Sequence, residues 1–367
     1  MLVTSLRLRD FRNYCEARVD LGERLTLVHG PNGAGKTNLL EGLYFGCTGR
    51  SCRTVNEREV VRFGAGVTRV EVSVSAEDGE HELTVGFSPG EPKRIQVDGA
   101  ATERMLDAAA RPLVSVFLPD RLELVKGAPT LRRAHLDQFV AAMWPARRSN
   151  RKAYAQALAH RNALISRIRA GDGSRAALAT WTNEVARHGL ALMGDRDSAV
   201  RAINAHFGGV ASELGLDGDP ALRYRPRSQA TEPAQLAAEL ELRLDSDLDR
   251  GFTSHGPHRD DLLTLREGRD LRAYGSQGQQ RLALLSLLLA ERQALAEVRD
   301  APPLMLLDDV MSELDHGRRE ALIDHLRASG GQALITTTEL DQVPVGADIG
   351  VVRLPVAHGA VLAEAIG

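Results

Sequence analysis

The sequence predicts an α/β fold with a mostly parallel sheet, an antiparallel β region and a largely α-helical block. Apolar and polar residues alternate through the first 140 residues, as in strands with one buried face. Between residues 132 and 248 the apolar residues recur at helical spacing instead. After residue 251, short apolar runs alternate with helical patterns, which is typical of a parallel sheet covered by helices. We therefore expect one domain built from residues 1–140 and 250–367, and a helical lobe at 141–249.

Composition limits the class of protein. The 367 residues are enough for two domains, and 43% hydrophobic with 26% charged residues is ordinary for a soluble protein. A net charge of −3 excludes a protein that is basic throughout, so any nucleic-acid contact must come from a local patch. The 3 cysteines form no CxxC pair, which argues against a disulfide framework or a structural zinc site. Without a long apolar run, we expect a cytoplasmic protein in a reducing compartment.

The elements follow from these patterns in chain order. In the first part of the chain we expect strands at 25–28, 70–74, 83–87, 95–97 and 114–118, and one helix at 36–45. In the last part we expect helices at 282–295 and 317–328, buried strands at 303–307 and 333–336, and an edge strand at 351–352.

A glycine-rich loop separates the strand at 25–28 from the helix that follows. It contains, in order, Gly30, Pro31, Asn32, Gly33, Ala34, Gly35, Lys36 and Thr37, which is the pattern GxxxxGKT. Glycines let the backbone approach a phosphate, and successive N–H groups at a helix N-terminus attract the anion. Lys36 would reach the β- and γ-phosphates, and Thr37 would ligate Mg²⁺. A chance match is the alternative, but the strand and helix on either side are those that the motif requires. The loop therefore predicts ATP and Mg²⁺ as cofactors.

Two carboxylates follow the buried strand at 303–307. Asp308 suits the Mg²⁺-holding carboxylate, and Asp309 would face the water that attacks the γ-phosphate. Taken alone, these residues are explained better by a solvated strand end or a helix cap. The phosphate loop upstream favours the metal and catalytic roles.

A second loop of small and amide side chains precedes the leucine-rich helix. Ser276, Gln277, Gly278 and Gln279 stand where a serine would cap the helix, and capping alone is the simpler explanation. A helix N-terminus with small residues also binds phosphate. Since one chain needs one phosphate loop for its own ATP, the second loop suggests contact with the ATP of another subunit.

Basic residues cluster at the start of the helical lobe. No acidic residue occurs from 141 to 171, and Arg147, Arg148, Arg151 and Lys152 form two i,i+4 pairs. Such a face could neutralise DNA phosphates, although most runs of charge are solvated helix surfaces. The segment 255–261, HGPHRDD, could ligate a metal, but its spacing matches no standard site and we expect a structural or interface role.

Three motifs together resemble a known family. GPNGAGKT at 30–37, YGSQGQQR at 274–281 and LMLLDDVMSELD at 304–315 are similar to the motifs of ABC-type ATPase heads of the SMC group. The opening LRLRDFRNY and the segments 117–137 and 251–263 make the RecF family of bacterial recombination mediators the closer resemblance. The resemblance is weak at about 145–245, and that block is too short for the coiled-coil arms of an SMC protein.

The resemblance implies a fold and a site. It implies an ABC-type P-loop ATPase lobe in which two subunits enclose two ATP molecules, with Ser276 to Gln279 acting as the signature in trans. Residues 336–338, all threonines, stand where many such ATPases carry a switch histidine; Thr338 is our catalytic candidate beside Asp309, and the choice among the three stays open. Because Asp309 replaces a longer glutamate found in many relatives, we expect slow hydrolysis that acts as a release switch.

The resemblance also implies a function. It implies a protein that dimerises on ATP, binds gapped or single-stranded DNA junctions and assists RecA loading in DNA repair, replication and the SOS response. RecR, RecO and RecA would be its partners. The alternative is an ATP-switched protein adaptor with little direct DNA contact, which would show almost no salt dependence of DNA binding.

Overall fold

The computed structural model describes residues 1–299, 302–345 and 350–362. By its internal contacts the chain divides into two compact units, Met1–Arg121 with Leu295–Gly367, and Leu122–Ala294. The sequence placed the domain limits at 140/141 and 249/250 instead. The difference arises because the helix at 129–143 packs against elements of the second unit, and because the leucine-rich helix is assigned almost entirely to that unit.

Fifteen strands occur in the described residues. They are β1 (Leu2–Phe11), β2 (Tyr14–Asp20), β3 (Leu25–His29), β4 (Thr68–Ala76), β5 (Gly79–Phe87), β6 (Arg94–Val97), β7 (Ala100–Thr102), β8 (Val114–Phe117), β9 (Ala221–Arg225), β10 (Asp261–Arg266), β11 (Arg269–Asp270), β12 (Leu304–Leu307), β13 (Ala333–Thr337), β14 (Val351–Ala357) and β15 (Ala360–Val361).

Ten α-helices occur in the same residues. They are α1 (Lys36–Thr48), α2 (Glu123–Lys126), α3 (Pro129–Met143), α4 (Arg148–Arg169), α5 (Arg175–Glu213), α6 (Pro233–Glu241), α7 (Leu244–Arg250), α8 (Leu271–Tyr274), α9 (Gln277–Arg299) and α10 (His316–Ala328). Among the described residues, no helix is both long and apolar enough to cross a membrane.

The first unit contains two six-stranded sheets. One is antiparallel with the order β2-β1-β4-β5-β6-β7. The other has the order β15-β14-β3-β13-β12-β8 and is parallel from β14 to β8. Helix α1 contacts strands of both sheets, and its small residues allow the close approach, since a Cβ at Gly42 or Gly46 would collide with Leu8 or Val72. The predicted α/β fold with a parallel sheet and an antiparallel region is confirmed.

The parallel sheet brings three chain segments to one edge. Strands β3, β13 and β12 are neighbours, and the carboxyl ends of parallel strands lie at the same edge of a sheet. The glycine-rich loop follows β3, Thr336 and Thr337 close β13, and Asp308 follows β12. All four residues of β12 and all five of β13 are buried, as their apolar sequences predict. The expected edge strand is the longer β14, second from the edge, with the short β15 beside its last residues.

The second unit is largely helical, as expected. Helices α4 and α5 pack along each other, and α5 also contacts α3, α6 and β9. A small antiparallel sheet of order β11-β10-β9 completes the unit. Its core includes Tyr154, Val185, Leu192, Leu236 and Leu240.

Candidate functional site

The glycine-rich loop adopts a backbone that its glycines make possible. Gly30, Gly33 and Gly35 have φ angles of 152°, 78° and 119°, a region that side chains with a Cβ rarely enter. A Cβ at Gly30 would also collide with the main-chain carbonyl of Val356. Positive φ therefore favours glycine at all three positions, and close packing adds a second reason at Gly30 and Gly35 but not at Gly33.

Neighbouring hairpins hold the carbonyl oxygens of this loop. The hydroxyl of Tyr14 donates to the carbonyl of Gly35 at 3.0 Å, and the amide of Asn13 donates to the carbonyl of Ala34 at 3.3 Å. The N–H of Gly359 donates to the same Ala34 carbonyl at 2.9 Å. Engaging carbonyls in this way reduces the negative potential of the loop, which favours an anion at the N-terminus of α1.

Lys36 bonds to the loop that it follows. Its Nζ donates to the carbonyls of Gly30 at 2.7 Å and Pro31 at 3.1 Å, and the residue is only 7% exposed. Burial lowers the pKa of Lys36, and attraction to Asp309 and Asp308 opposes that shift. In the part of the chain that the structure describes, its hydrogen bonds go to neutral carbonyls, so its charge remains available to an anion.

Thr37 and Asp308 meet across the sheet although 271 residues separate them. The hydroxyl of Thr37 lies 2.9 and 3.0 Å from the two carboxylate oxygens of Asp308. Thr336 donates to Oδ1 of Asp308 at 2.7 Å. Burial and repulsion from Asp309 raise the pKa of Asp308, and the two hydroxyl bonds oppose this. A buried carboxylate held by hydroxyls, with no arginine bonded to it among the described residues, suits a hard cation.

Asp309 has a buried oxygen without a partner. Its backbone is left-handed, with φ 48° and ψ 29°, and its N–H donates to the hydroxyl of Thr336 at 2.9 Å. Oδ2 accepts from Ser312 at 2.9 Å, whereas the buried Oδ1 has no hydrogen-bond partner among the described residues. Buried polar atoms are almost always satisfied, so this oxygen is available to accept a hydrogen bond from a water or a ligand at the site.

The residues present fit ATP with Mg²⁺. The loop offers backbone donors and a lysine for phosphates, and Thr37 with Asp308 offers oxygen ligands of the kind that Mg²⁺ prefers. Within the described ranges, no cluster of three or more His, Cys, Asp or Glu residues could hold a metal by itself. This agrees with a cation that completes its shell from phosphates and water rather than from a protein cage.

The three threonines after the apolar run of β13 differ in their contacts. Thr336 touches both Asp308 and the main chain of Asp309, as described above. Thr337 donates to the carbonyl of Glu339 at 2.9 Å. Thr338, the catalytic candidate, lies half-buried just beyond the strand. Its role stays a prediction, and Thr336 is the threonine that contacts the carboxylates.

The second candidate loop forms a capping box in the second unit. The hydroxyl of Ser276 accepts from the N–H of Gln279 at 3.3 Å, and the Gln279 side chain accepts from the N–H of Ser276 at 2.9 Å. Ser276, Gln277 and Gly278 are exposed. Ser276 therefore caps α9, and the exposed residues of this loop remain accessible to another molecule.

The basic cluster is partly engaged in internal pairs. Arg147 lies 3.3 Å from Asp195 and over the ring of Trp144 at 4.3 Å, and Arg151 lies 3.2 Å from Asp137. Arg148 and Lys152 are exposed on α4. Arg147 and Arg151 thus have intramolecular roles, and DNA contact by this cluster stays a prediction.

Hydrogen bonds within the second unit engage the polar side chains of the segment 251–263. Arg161, fully buried, donates to Asp247 at 2.9 Å and to Thr253 at 2.6 Å. Tyr154 donates to Nδ1 of His258 at 2.7 Å, and Nε2 of His258 donates to the carbonyl of Thr253 at 2.9 Å. Burial lowers the pKa of His258 to about 4.

The two aspartates of the segment are equally engaged. Asp260 accepts from Tyr224 and from the N–H of Arg227, and Asp261 pairs with Arg132 at 2.8 Å. These contacts indicate a structural role rather than a metal site.

Sequence reasoning missed the residues that support the site. Asn13 and Tyr14 brace the phosphate loop, and Gly359 bonds it from a second hairpin. Their positions in the sequence carry no motif of their own. Only the opening segment LRLRDFRNY, which contains Asn13 and Tyr14, offered a signal, through its resemblance to a family.

The chain matches a known protein family over most of its length. Residues 2–353 match the family described as RecF/RecN/SMC N terminal domain. The chain is 38% identical over 349 residues to the DNA replication and repair protein RecF of Anaeromyxobacter sp. (strain Fw109-5), covering 92% of this chain and 93% of that protein.

Solved structures agree with the sequence match. A structure of the recombination mediator protein RecF with ATP, of the RecFOR pathway, superposes with a TM-score of 0.86 at 28% identity, covering 99% of this chain and 98% of that one. An Smc head bound to the C-winged helix domain of ScpA has a TM-score of 0.61 at 17% identity, covering 98% and 96%, and supports the fold alone. The ABC-type ATPase head fold expected from the motifs is confirmed.

Proposed function

The chain belongs to the RecF family of the RecF/RecN/SMC N terminal domain proteins, and we propose that it is an ATP-dependent DNA-binding recombination mediator. One observation carries the nucleotide part of this proposal. Thr37 of the phosphate loop and Asp308, which follows β12, are bonded to each other, and the next residue, Asp309, has an oxygen without a partner among the described residues. This pairing of a loop hydroxyl with a strand-end carboxylate is the arrangement that P-loop NTPases use for Mg²⁺ and the γ-phosphate.

The residues divide the work of binding and hydrolysis. Gly30 to Thr37 bind the phosphates through backbone N–H groups and the Lys36 ammonium, and Thr37 with Asp308 hold Mg²⁺. When bound, Mg²⁺ neutralises charge on the phosphate oxygens. Oδ1 of Asp309 accepts the proton of the attacking water, and Ser312 orients the carboxylate through Oδ2. Thr336 links Asp308 to Asp309, and Thr338 lies beyond it as a candidate switch residue.

ATP drives dimerisation in this proposal. The exposed loop Ser276 to Gln279 binds the γ-phosphate held by a second chain, which couples ATP to the closed dimer. Molar mass measured by light scattering tests this, with and without Mg²⁺-ATP, for wild type and Ser276→Arg. We expect a dimer with ATP for wild type, and a monomer that still binds ATP for the variant. Monomers of both proteins with ATP bound would contradict the trans arrangement.

Hydrolysis is slow and serves as a release switch. The carboxylate of Asp309 is shorter than the glutamate that many related ATPases carry, so the attacking water is held less well. Phosphate release measured at saturating ATP tests this. We expect a turnover well below roughly 10 s⁻¹, the median for enzymes, and a rate above it would contradict the slow switch.

DNA is the proposed macromolecular ligand. RecF relatives are described as DNA replication and repair proteins, and the related solved structures belong to the RecFOR pathway. We therefore extend to this chain binding of gapped or single-stranded DNA junctions, partnership with RecR and RecO, and assistance to RecA in repair, replication and the SOS response. Binding isotherms at several salt concentrations test direct contact, because each phosphate contact adds about −0.9 to the slope of log K against log salt.

A protein adaptor is the second candidate, and one observation favours it. Arg147 and Arg151 are paired with Asp195 and Asp137, which removes part of the basic cluster from contact with DNA. A flat salt dependence would support the adaptor. Charge reversal of Arg148 and Lys152 tests the cluster itself, since full DNA affinity in that variant would exclude the cluster as the DNA site.

A further inference from the structure

We propose that Phe63 is a base-stacking residue that contacts an unpaired nucleotide at a single-strand/double-strand junction of DNA. The inference rests on the proposed DNA-binding function and locates a contact that the function does not assign. Phe63 lies in the segment 49–67 that joins α1 to β4, which belongs to the first unit, whereas the basic cluster of α4 belongs to the second.

Phe63 is exposed to an extent unusual for an aromatic residue. Its relative exposure is 98%, whereas Phe11 and Phe45, which pack on each other in the core of the same unit, are fully buried. An exposed phenylalanine gains nothing for the folded state, because its apolar surface stays in water. A single exposed apolar residue is common, so its exposure alone decides nothing. The way in which the chain presents the ring is more informative.

A tight turn presents the ring. The N–H of Ala65 donates to the carbonyl of Arg62 at 2.9 Å, and Gly64 has φ 83°. A positive φ at the third position is the signature of a type II turn, and it places Phe63 at the second position, on the tip. A Cβ added at Gly64 would meet no atom within 4 Å, so the glycine is there for the backbone angle alone.

The turn is anchored on both sides rather than loose. The N–H of Arg62 donates to the carbonyl of Asp10 at 2.8 Å, and its guanidinium bonds the Asp10 carboxylate at 2.6 Å. Val61, the residue before Arg62, forms a β-bridge with Phe11, the residue after Asp10. The ring is therefore held out on a supported backbone, which lowers the entropy lost when a flat partner stacks on it.

Charge complementarity points to nucleic acid as that partner. Residues 49–67 contain four arginines and two glutamates, a net charge of +2 in a chain of net charge −3. Glu57 pairs with Lys93 at 2.5 Å, and Glu59 lies 4.0 Å from Arg12. Two of the arginines pair with acidic residues outside the segment, Arg53 with Glu41 at 3.3 Å and Arg62 with Asp10 at 2.6 Å. Arg58 is exposed and has no carboxylate within ion-pair distance among the described residues. Single-stranded nucleic acids are bound by this combination of aromatic rings and positive charge, because every base has a face that stacks.

The basic surface continues onto the adjoining strands. Arg9 of β1 lies at the strand end next to the turn and is exposed, whereas its register partner Arg69 of β4 pairs with Glu71 at 2.6 Å. Thr68 links the two strands there by donating its hydroxyl to the carbonyl of Arg9 at 2.9 Å. A phosphate next to a stacked base would meet Arg9.

The experiment compares three substitutions by fluorescence anisotropy with Mg²⁺-ATP present. The probes are a labelled duplex with a single-stranded tail and a blunt duplex of the same length. Phe63→Leu keeps an apolar side chain without an aromatic face, Phe63→Trp keeps the face, and Val55→Ala changes another fully exposed residue of the same segment. We expect Phe63→Leu to weaken binding of the tailed duplex by roughly 5- to 150-fold, as for the loss of one stacked base. Phe63→Trp, Val55→Ala and all blunt-duplex affinities should stay within a few-fold of wild type.

The outcomes separate this inference from the function on which it rests. If wild type binds neither probe, the proposed DNA-binding function is wrong. If wild type binds the tailed duplex and Phe63→Leu binds it equally well, DNA binding stands and base stacking is wrong. If Phe63→Leu loses its ATP-dependent dimer mass in light scattering, the ring is a contact between two copies of the chain. Either of the last two results overturns the proposal.

Discussion

Two regions of this molecule contain buried aspartates, but the side chains that bond to these aspartates differ. At the edge of the parallel sheet, Asp308 and Asp309 accept hydrogen bonds from the hydroxyls of Thr37, Thr336 and Ser312. In the helical unit, buried aspartates are bonded by arginines, as in the fully buried pair of Arg161 and Asp247. Among the described residues, no guanidinium is bonded to either carboxylate of the first region.

The difference distinguishes a ligand site from a structural network. Hydroxyl donors position a carboxylate without cancelling its charge, so the charge remains for a cation. A bonded arginine cancels it and satisfies both oxygens, which leaves nothing to bind. The segment 255–261 contains two His and two Asp that could ligate a metal, although its spacing favoured a structural or interface role. Its partners, such as Arg132 on Asp261, show why it is not a metal site.

The largest expected effect tests the structural region. Arg161→Ala would leave the carboxylate of Asp247 buried and unpaired, and we expect the free energy of unfolding to fall by about 3–5 kcal/mol. Urea denaturation followed by circular dichroism measures this. Arg187→Ala is the matched control, because its ion pair with Glu184 is exposed, and it should change stability by less than about 1 kcal/mol. A change at Arg161 no larger than that of the control would break the comparison.

The next effect tests the ligand region. Lys36→Ala removes the ammonium from the phosphate loop, and we expect ATP hydrolysis to fall about 10²- to 10³-fold. Stability should change by less than about 1 kcal/mol, because Nζ bonds to carbonyls of a loop that glycines already shape. Phosphate release and urea denaturation measure the two quantities. Lys126→Ala, at an exposed lysine, serves as the control. Hydrolysis at the wild-type rate in Lys36→Ala would show that the loop is not the catalytic one.

The third prediction concerns the structural region and the pH dependence of its stability. Burial lowers the pKa of His258 from 6.5 to about 4, so between these values the unfolded chain binds a proton that the native protein does not. Stability should therefore rise with pH across this window, by about 3 kcal/mol in total, and be lost as the pH falls through it. Denaturation of wild type and His258→Asn over pH 4 to 7 checks this. Equal slopes for both proteins would contradict it.

The smallest expected effect concerns Asp308 at the ligand site, where a rise in pH lowers the stability instead of raising it. Burial raises the pKa of Asp308, so ionising this carboxyl destabilises the folded protein as the pH rises past the ordinary aspartate value of 3.8. Asp308→Asn should therefore be more stable than wild type at neutral pH, and this advantage should shrink in acid. Thermal unfolding without nucleotide measures it, and ATP with Mg²⁺ should stabilise wild type more than the variant. A variant less stable than wild type at neutral pH would place Asp308 with the structural aspartates.

Much of the fold and half of the site were predictable because their determinants are local. The apolar run before Asp308 predicts a buried strand, and the loop from Gly30 to Thr37 predicts a turn into a helix, whatever surrounds them. Ser276 and Gln279 are three residues apart, so the capping box is also determined by the local sequence. The features that the sequence missed or left open depend on partners that are distant along the chain. Nothing near Arg151 in the sequence reveals its pairing with Asp137.

The sequence by itself determined the nucleotide motif, the strand that ends in two acids and the helical block, because each depends on side-chain spacing within a few residues. Only the tertiary structure decided which of these residues meet. The order β3-β13-β12 joins Thr37 to Asp308 across 271 positions and selects Thr336 as their neighbour. It also decided which charged groups are neutralised and which remain available. Charge compensation acts through space at a few ångströms, and strand order sets those distances, whereas spacing along the chain does not.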